Sequence, residues 1–378
     1  MKLLINAREL DLSYCSNIHQ ASRLKDLVFT LDNVLPFLKN QLNSKSMGIG
    51  MYLSNSMLKE SVFSNEELIK WLDGNNYHLY TLNGFPYCNF HQSLVKDLVY
   101  LPNWSEEERL SYTKKLIYFL SNVIEGNFGS ISTVPIGYKK HKIDYSKVLE
   151  NIKNLVIFLE EIENATGKLI SVAFEHEPGC FLETTDDVIS FFNELTLFFR
   201  NDNYKRYLGI CYDICHMAVM FQDPIDSVDK LIKNDIKILK TQISSAIRVF
   251  DIKKNLNDLI KLNESKYLHQ VTGLRNDNKL IYFDDLNDFF EMDLSLFQEA
   301  RIHYHVPLHY KNFGSLMTTN RFTSICLQEI LKKSDCTHFE IETYTFNEFN
   351  PKFLNNDILN QNILKEMQWC IGEFSKHI

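Results

Sequence analysis

The chain has no basic tract, no uninterrupted apolar run of membrane-spanning length, and no glycine-rich turn opening a helix behind its early strands. Each lack removes a class of function. Its 40 basic and 48 acidic residues give a net charge of −8. Nucleic acid and anionic membrane surfaces both need a positive footprint, so neither is an expected partner. A spanning helix needs about 18 successive apolar residues, and the first ten residues, MKLLINAREL, are too polar for a secretory signal. The expectation is a cytoplasmic protein with no direct membrane insertion. Eight cysteines, at 15, 88, 180, 211, 215, 326, 336 and 370, include no pair at the two-residue spacing of a zinc knuckle or redox motif. Scattered through so long a chain, they read as buried thiols rather than a disulfide framework. No repeat, low-complexity segment or Pro/Gly/Ser-rich linker divides the sequence.

What is present is apolar mass in a regular alternation. At 378 residues and 45% hydrophobic, the chain can bury a large core, and its length suits two or three domains or one α/β barrel with insertions. Strand-length runs recur: LSYCSNIH, MGIGMYLS, YHLYTLNGF, GSISTVPIGY, ISVAFEHEP, YLGICYDICH, IKILKTQIS, RIHYHVPLH and HFEIETYTF. Between them lie helical patterns. Val148, Ile152, Leu155, Leu159 and Ile162 form one apolar stripe. Capping boxes are expected at Ser64–Glu67 and Ser105–Glu108, and Asp223-Pro224 reads as an N-cap followed by a first-turn proline. Sustained strand–helix alternation implies a parallel sheet. The missing phosphate-loop glycines argue against an open nucleotide-binding sheet. The polar residues gather instead at the C-terminal ends of many strands, as in a (β/α)8 barrel. Nine runs exceed the eight needed. RIHYHVPLH is therefore assigned to a long insertion or lid, residues 245–336, between the last two strands of a single domain spanning 1–378. The polar stretch Asn255–Asp293 within it suits a lid or a dimer contact.

The chemistry concentrates on the later strands. Residues two apart on a strand share a face, so Glu175 and Glu177 point inward together, as do Glu340 and Glu342. Four inward carboxylates cannot all stay ionised without a cation or basic partners. Lys240 offers one such partner, and a metal ion is the other solution. Asp213 shares its strand face with Gly209 and Cys211, and His216 reaches back over the mouth three residues later. With an imidazole in the set, Mn²⁺, Zn²⁺ or Fe²⁺ is expected before Ca²⁺ or Mg²⁺. Lys240 and Gln242 share a face of the seventh strand. His303 and His305 share a face of their run, with ligand and structural roles both open. His91 and His269 lie where loops would cover the site.

The ordered set Glu175, Asp213 with His216, Gln242 and Glu342 resembles the xylose-isomerase-like barrel superfamily. That resemblance implies one divalent metal held by Glu175, Asp213, Gln242 and Glu342, with Gln242 standing where a histidine is usual. It implies proton transfer by Glu177 or Glu175 and by Glu342, with His216 and Lys240 assisting. His91, His303, His305, His309 and Glu340 would face the substrate. Over nearly the whole chain, SYCSNIH, YTLNGFPYCNFH, VKDLVYLPNW, SISTVPIGY, FEHEPGCFLET, CYDICHMAV, KTQISSA, YLHQV, HYHVPLH and HFEIETYTF resemble the family of metabolite traffic protein EboE. This implies handling of a small secondary-metabolite precursor and contact with a prenyltransferase-like membrane protein encoded beside it. Two functions stay open: an isomerase or epimerase acting on a polyol, sugar or precursor, and a non-catalytic carrier or assembly factor. The set lacks the histidines of a three-metal abasic-site endonuclease.

Overall fold

A computed structural model of the chain describes residues 1–59, 65–88, 95–345 and 355–376. Strand β1 (Lys2–Ile5) folds back antiparallel on β2 (Arg8–Tyr14). Then follow β3 (Met47–Tyr52), β4 (Tyr77–Asn83), β5 (Phe128–Thr133), β6 (Leu169–Glu175), β7 (Leu208–Asp213) and β8 (Ile238–Ile243). A long excursion supplies β9 (Ser245–Phe250), β10 (Val271–Arg275), β11 (Leu280–Phe283), β12 (Phe297–Val306), β13 (Asn312–Phe313) and β14 (Leu316–Thr318). The chain then returns to β15 (His338–Ile341). Strands β2 to β8 and β15 pair in parallel in the order β2-β15-β8-β7-β6-β5-β4-β3, and a parallel bridge from Cys15 to Gly50 joins the two ends. This is the eight-stranded barrel expected, and RIHYHV belongs to the excursion.

The helices follow local rules. Tyr145–Thr166 buries the predicted stripe from Val148 to Ile162, takes its cap from Asp144, and ends at Gly167 with φ 71°. Only a residue without Cβ adopts that left-handed turn cheaply. Asp223 caps Pro224–Lys233 through the Ile225 and Asp226 amides. The box expected at Ser105–Glu108 does not form. Asn103 outcompetes it: its Oδ1 accepts from Ser105 N and Oγ, and Glu106 takes the Asn103 amide. Ser64 lies outside the described residues. No helix among them is long and apolar enough to cross a membrane.

The excursion forms a second, antiparallel sheet in the order β11-β10-β12-β9-β14-β13. Its own core includes Ile247, Val249, Phe289, Phe297, Ile302 and Tyr304. It is seated on the short helix after β7, Ile214–Val219. Arg301 donates to the Ala218 carbonyl at 2.8 Å and lies 3.8 Å over the Phe221 ring, and Cys215 Sγ donates to the Tyr304 carbonyl. Alternation along β12 then does the rest. Ile302 and Tyr304 enter the second core, while Arg301, His303 and His305 face the barrel mouth.

At the closing bridge, a Cβ on Gly50 would sit 1.3 Å from Glu340 Oε1 and 2.4 Å from its Cδ. Gly50→Ala should therefore displace a buried carboxylate from its partner and destabilise by about 3–5 kcal/mol. Gly74→Ala, with open space at its Cβ, should instead stabilise by less than about 1 kcal/mol. Urea unfolding of both variants beside wild type checks the contrast; equal midpoints would refute it.

Candidate functional site

The barrel interior carries a polar floor. Lys240 Nζ lies 2.6 Å from Glu340 Oε2, and both side chains are fully buried. Asn83 ties them together: its Nδ2 donates to Glu340 at 2.8 Å, and its Oδ1 accepts from Lys240 at 2.9 Å and Gln242 Nε2 at 2.8 Å. Burial works against the Lys240 charge, but the Glu340 carboxylate more than compensates and raises its pKa. Lys240 and Glu340, expected at catalysis and substrate, are thus engaged with each other and are not among the residues lining the cavity above.

One layer up, three acids meet without such a partner. Oxygens of Glu175, Asp213 and Glu342 lie within 4.8 Å of one another, and all three residues are buried. Asp213 Oδ1 is occupied, accepting from Ser244 Oγ at 3.0 Å and capping the helix at the His216 amide at 3.1 Å. Its buried Oδ2 has no hydrogen-bond partner, nor has Gln242 Oε1. Asn17 Nδ2 donates to Glu342 at 2.8 Å. Burial, and next the Asp213 charge, push the Glu175 pKa well up; burial, and next Glu175, do the same to Glu342. A divalent ion fits this set: the acid oxygens converge, Asp213 Oδ2 among them is unsatisfied, and their mutual repulsion needs a counter-charge.

Against this layer stands a second group. His216 comes from the helix after β7, and His303 and His305 from β12. His216 Nε2 is 3.1 Å from His303 Nε2, which is 3.0 Å from His305 Nε2. Glu177 flanks them, its Oε2 3.2 Å from His216 Nε2. Its Oε1 accepts from Tyr100 at 2.9 Å and Gln270 at 3.2 Å. Burial raises the Glu177 pKa to about 8 against those two hydrogen bonds. Burial lowers all three imidazoles, and for His216 and His303 the neighbouring rings add to it. Glu175 and Glu177, equivalent by sequence spacing, therefore join different groups, one the acids and the other the imidazoles.

Between the groups lies a cavity of ≈ 80 Å³, lined on the barrel side by Glu175, Glu177, His216 and Glu342 and roofed by Tyr267, Leu268, His303, His305 and Tyr344. That is room for about three waters. His309 stands apart from it, beyond the end of β12 beside Tyr310 and Asn362. His269 is committed to Glu264 at 2.7 Å and stacks on Tyr304 at 3.8 Å. His91 lies outside the described residues. A larger groove on the outer wall, ≈ 600 Å³ near Leu110, Lys114 and Phe158, is lined by no histidine or cysteine. Sequence reasoning missed Tyr100, Gln270, Asn17 and Asn83. Their residue types are ordinary, and only the barrel brings them to the acids.

It also missed Glu366, on helix Asn356–Ser375. Its Oε1 accepts from the Leu308 amide at 3.0 Å and Thr343 Oγ1 at 2.8 Å, joining the segments after β12 and β15 behind the roof. Burial raises its pKa to about 8. A carboxyl whose folded pKa is raised contributes stability below its unfolded pKa and loses it as pH climbs to the folded one. Wild type should lose up to about 1.4 kcal/mol per pH unit from this group between roughly pH 4.5 and 8. Glu366→Gln keeps the acceptor and removes the titration. Its stability relative to wild type should rise across that window and level off above it. Denaturant titrations at pH 5, 7 and 9 giving a constant difference would refute this.

A scan of protein-family models and a search of curated protein sequences each find no match. Among solved structures, the chain is similar to the IOLI protein crystallised with a bound zinc atom, with TM-score 0.52 and 13% identity over 98% of this chain and 99% of that one. It is also similar to a xylose isomerase domain protein from Planctomyces limnophilus, with TM-score 0.51 and 12% identity over 97% of this chain and 96% of that one. At such identity the likeness is one of architecture: the chain has the fold of the xylose-isomerase-like TIM barrels, with a long insertion between its last two barrel strands.

Proposed function

We propose that the protein is a divalent-metal-dependent isomerase or epimerase acting on a small polyol or ketose-like molecule. The observation that carries this is the convergence of Glu175, Asp213 and Glu342, buried and within 4.8 Å, at the C-terminal mouth of the barrel. These three, with Gln242 Oε1 as a neutral fourth donor, would make an all-oxygen set, which of the expected Mn²⁺, Zn²⁺ and Fe²⁺ suits Mn²⁺ best. The bound ion supplies Lewis-acid polarisation of adjacent carbonyl and hydroxyl oxygens. The chain supplies the proton traffic. Glu177, held by Tyr100 and Gln270 with a pKa near neutrality, is poised to give or take a proton from one wall. Glu342, anchored by Asn17, faces it from the other. Tyr267, Leu268, His303 and His305 of the insertion, with Tyr344, cover the cavity in which this exchange would run.

The EboE-like phrases support a substrate drawn from secondary-metabolite precursors and a prenyltransferase-like membrane protein as neighbour. They are also compatible with a carrier that keeps the pocket without turnover. Gln242 favours that second reading, because an amide binds metal more weakly than the histidine usual there.

The test is solvent-deuterium exchange into a panel of ketoses and polyols, with each candidate metal added to chelator-treated protein. Metal-dependent exchange at the carbon beside the carbonyl is expected, whereas binding without exchange across the panel would establish the carrier. Asp213→Asn combined with Glu342→Gln should abolish exchange and release the ion held by the acids. It should melt no lower than metal-free wild type, since it removes repulsion and keeps the amide cap acceptor. A much lower melting temperature would show that these acids hold the fold together instead.

A further inference from the structure

We infer that His216, His303 and His305, with the Glu177 carboxylate, form a second metal site that takes a borderline divalent ion such as Zn²⁺. The lone pairs of the three rings point to this site independently of the carboxylate site. Every Nδ1 in the triad is already spoken for. His216 Nδ1 lies 2.6 Å from the His176 carbonyl and His305 Nδ1 lies 2.8 Å from the Glu342 carbonyl. A backbone carbonyl can only accept, so both Nδ1 atoms carry the proton. His303 Nδ1 lies 2.7 Å from Gln270 Oε1. The orientation of that amide is set by its other end, where Nε2 donates to the Pro178 carbonyl at 3.1 Å and to Glu177. His303 therefore also carries its proton on Nδ1.

In the neutral rings, the unprotonated His303 Nε2 is then left facing the unprotonated Nε2 atoms of His216 and His305. Spacings of 3.1 and 3.0 Å between them are hydrogen-bond distances with no hydrogen to share. Buried lone pairs so arranged repel unless a cation sits among them. Tetrahedral zinc with nitrogen ligands at 2.0–2.1 Å would set its nitrogens roughly 3.3 Å apart, within a few tenths of the His216–His303 and His303–His305 separations. Glu177 Oε2, 3.2 Å from His216 Nε2, offers the fourth, anionic donor, and when it binds an ion there the proton role proposed above passes from Glu177 to Glu175. Each imidazole also has the outer-shell partner that orients metal-binding histidines: two carbonyls and one amide oxygen. The competing cation is a proton, held on His303 or shared between Glu177 and His216. A proton on His303 would put a charge on a ring buried between two other imidazoles.

This site is distinct from the acid site in its ligands, although Asp213 approaches both groups. Three of its four donors are nitrogen, which selects zinc, iron or cobalt over magnesium or calcium. Two of the three histidines come from the insertion, so the second ion would also pin that sheet to the barrel.

The test counts ions. Full-length protein stripped with chelator and reloaded with Zn²⁺, or with Co²⁺ for its visible spectrum, is desalted and analysed for metal. The expectation is two equivalents in wild type, one in His303→Asn/His305→Asn, and one in Glu175→Gln/Glu342→Gln. One equivalent in wild type that only the histidine changes remove also supports the site, and counts against the carboxylate centre alone. The inference is overturned if wild type binds no metal, if the histidine changes leave metal content and affinity unchanged, or if either pair of changes removes one shared ion. X-ray absorption of zinc-loaded wild type needs no variant. Imidazole scattering is expected in its spectrum, and a shell of oxygen donors alone would overturn the proposal even if the histidine variants failed to fold.

Discussion

A single ion pair sets the electrostatics of the whole site. Among the described residues, the buried cations are Lys240 and Arg109. Arg109 spends its donors outside the barrel bore on the carbonyls of Pro102, Gly84 and Phe85. Lys240 neutralises Glu340, and Asn83 locks the pair in place. The barrel floor is thereby settled. The next layer, Glu175, Asp213 and Glu342, receives no cation of its own from the described residues. Everything distinctive about the mouth follows: raised carboxyl pKa values, unsatisfied oxygens, and a demand for external positive charge.

The insertion completes what the barrel begins. Barrel strands alone deliver oxygen donors to the mouth. Nitrogen donors arrive because β12 runs antiparallel to β9, which continues almost directly from β8. That connection holds β12 beside the helix carrying His216, and strand alternation aims His303 and His305 at it. Burying Tyr304 and Ile302 in a separate core holds the aim steady. The energetic logic is a familiar trade. The mouth accumulates repulsion between acids and between lone pairs, and the two hydrophobic cores supply the stability that tolerates it.

The sequence by itself determined the barrel, because alternating apolar runs and helical stripes are local patterns and parallel pairing has few closures. It determined that the eighth run, RIHYHVPLH, is an excursion, since eight strands close the barrel. It also pointed Glu175, Glu177, Asp213 and Glu342 inward, because period-two alternation dictates which way each strand side chain points. Local competition was less legible: Asn103, two residues upstream, drew Ser105 into a turn, and the helix starts at Glu107 without the cap that Ser105 was expected to fill. Tertiary structure alone decided the partnerships. Whether Lys240 serves the cavity or Glu340, which of Glu175 and Glu177 joins the acids, and whether His303 meets His216 all depend on contacts spanning tens to over a hundred residues. Such contacts leave no periodic trace in the sequence, because a side chain's facing is set by its neighbours along the chain and its partner by the fold that brings distant strands together.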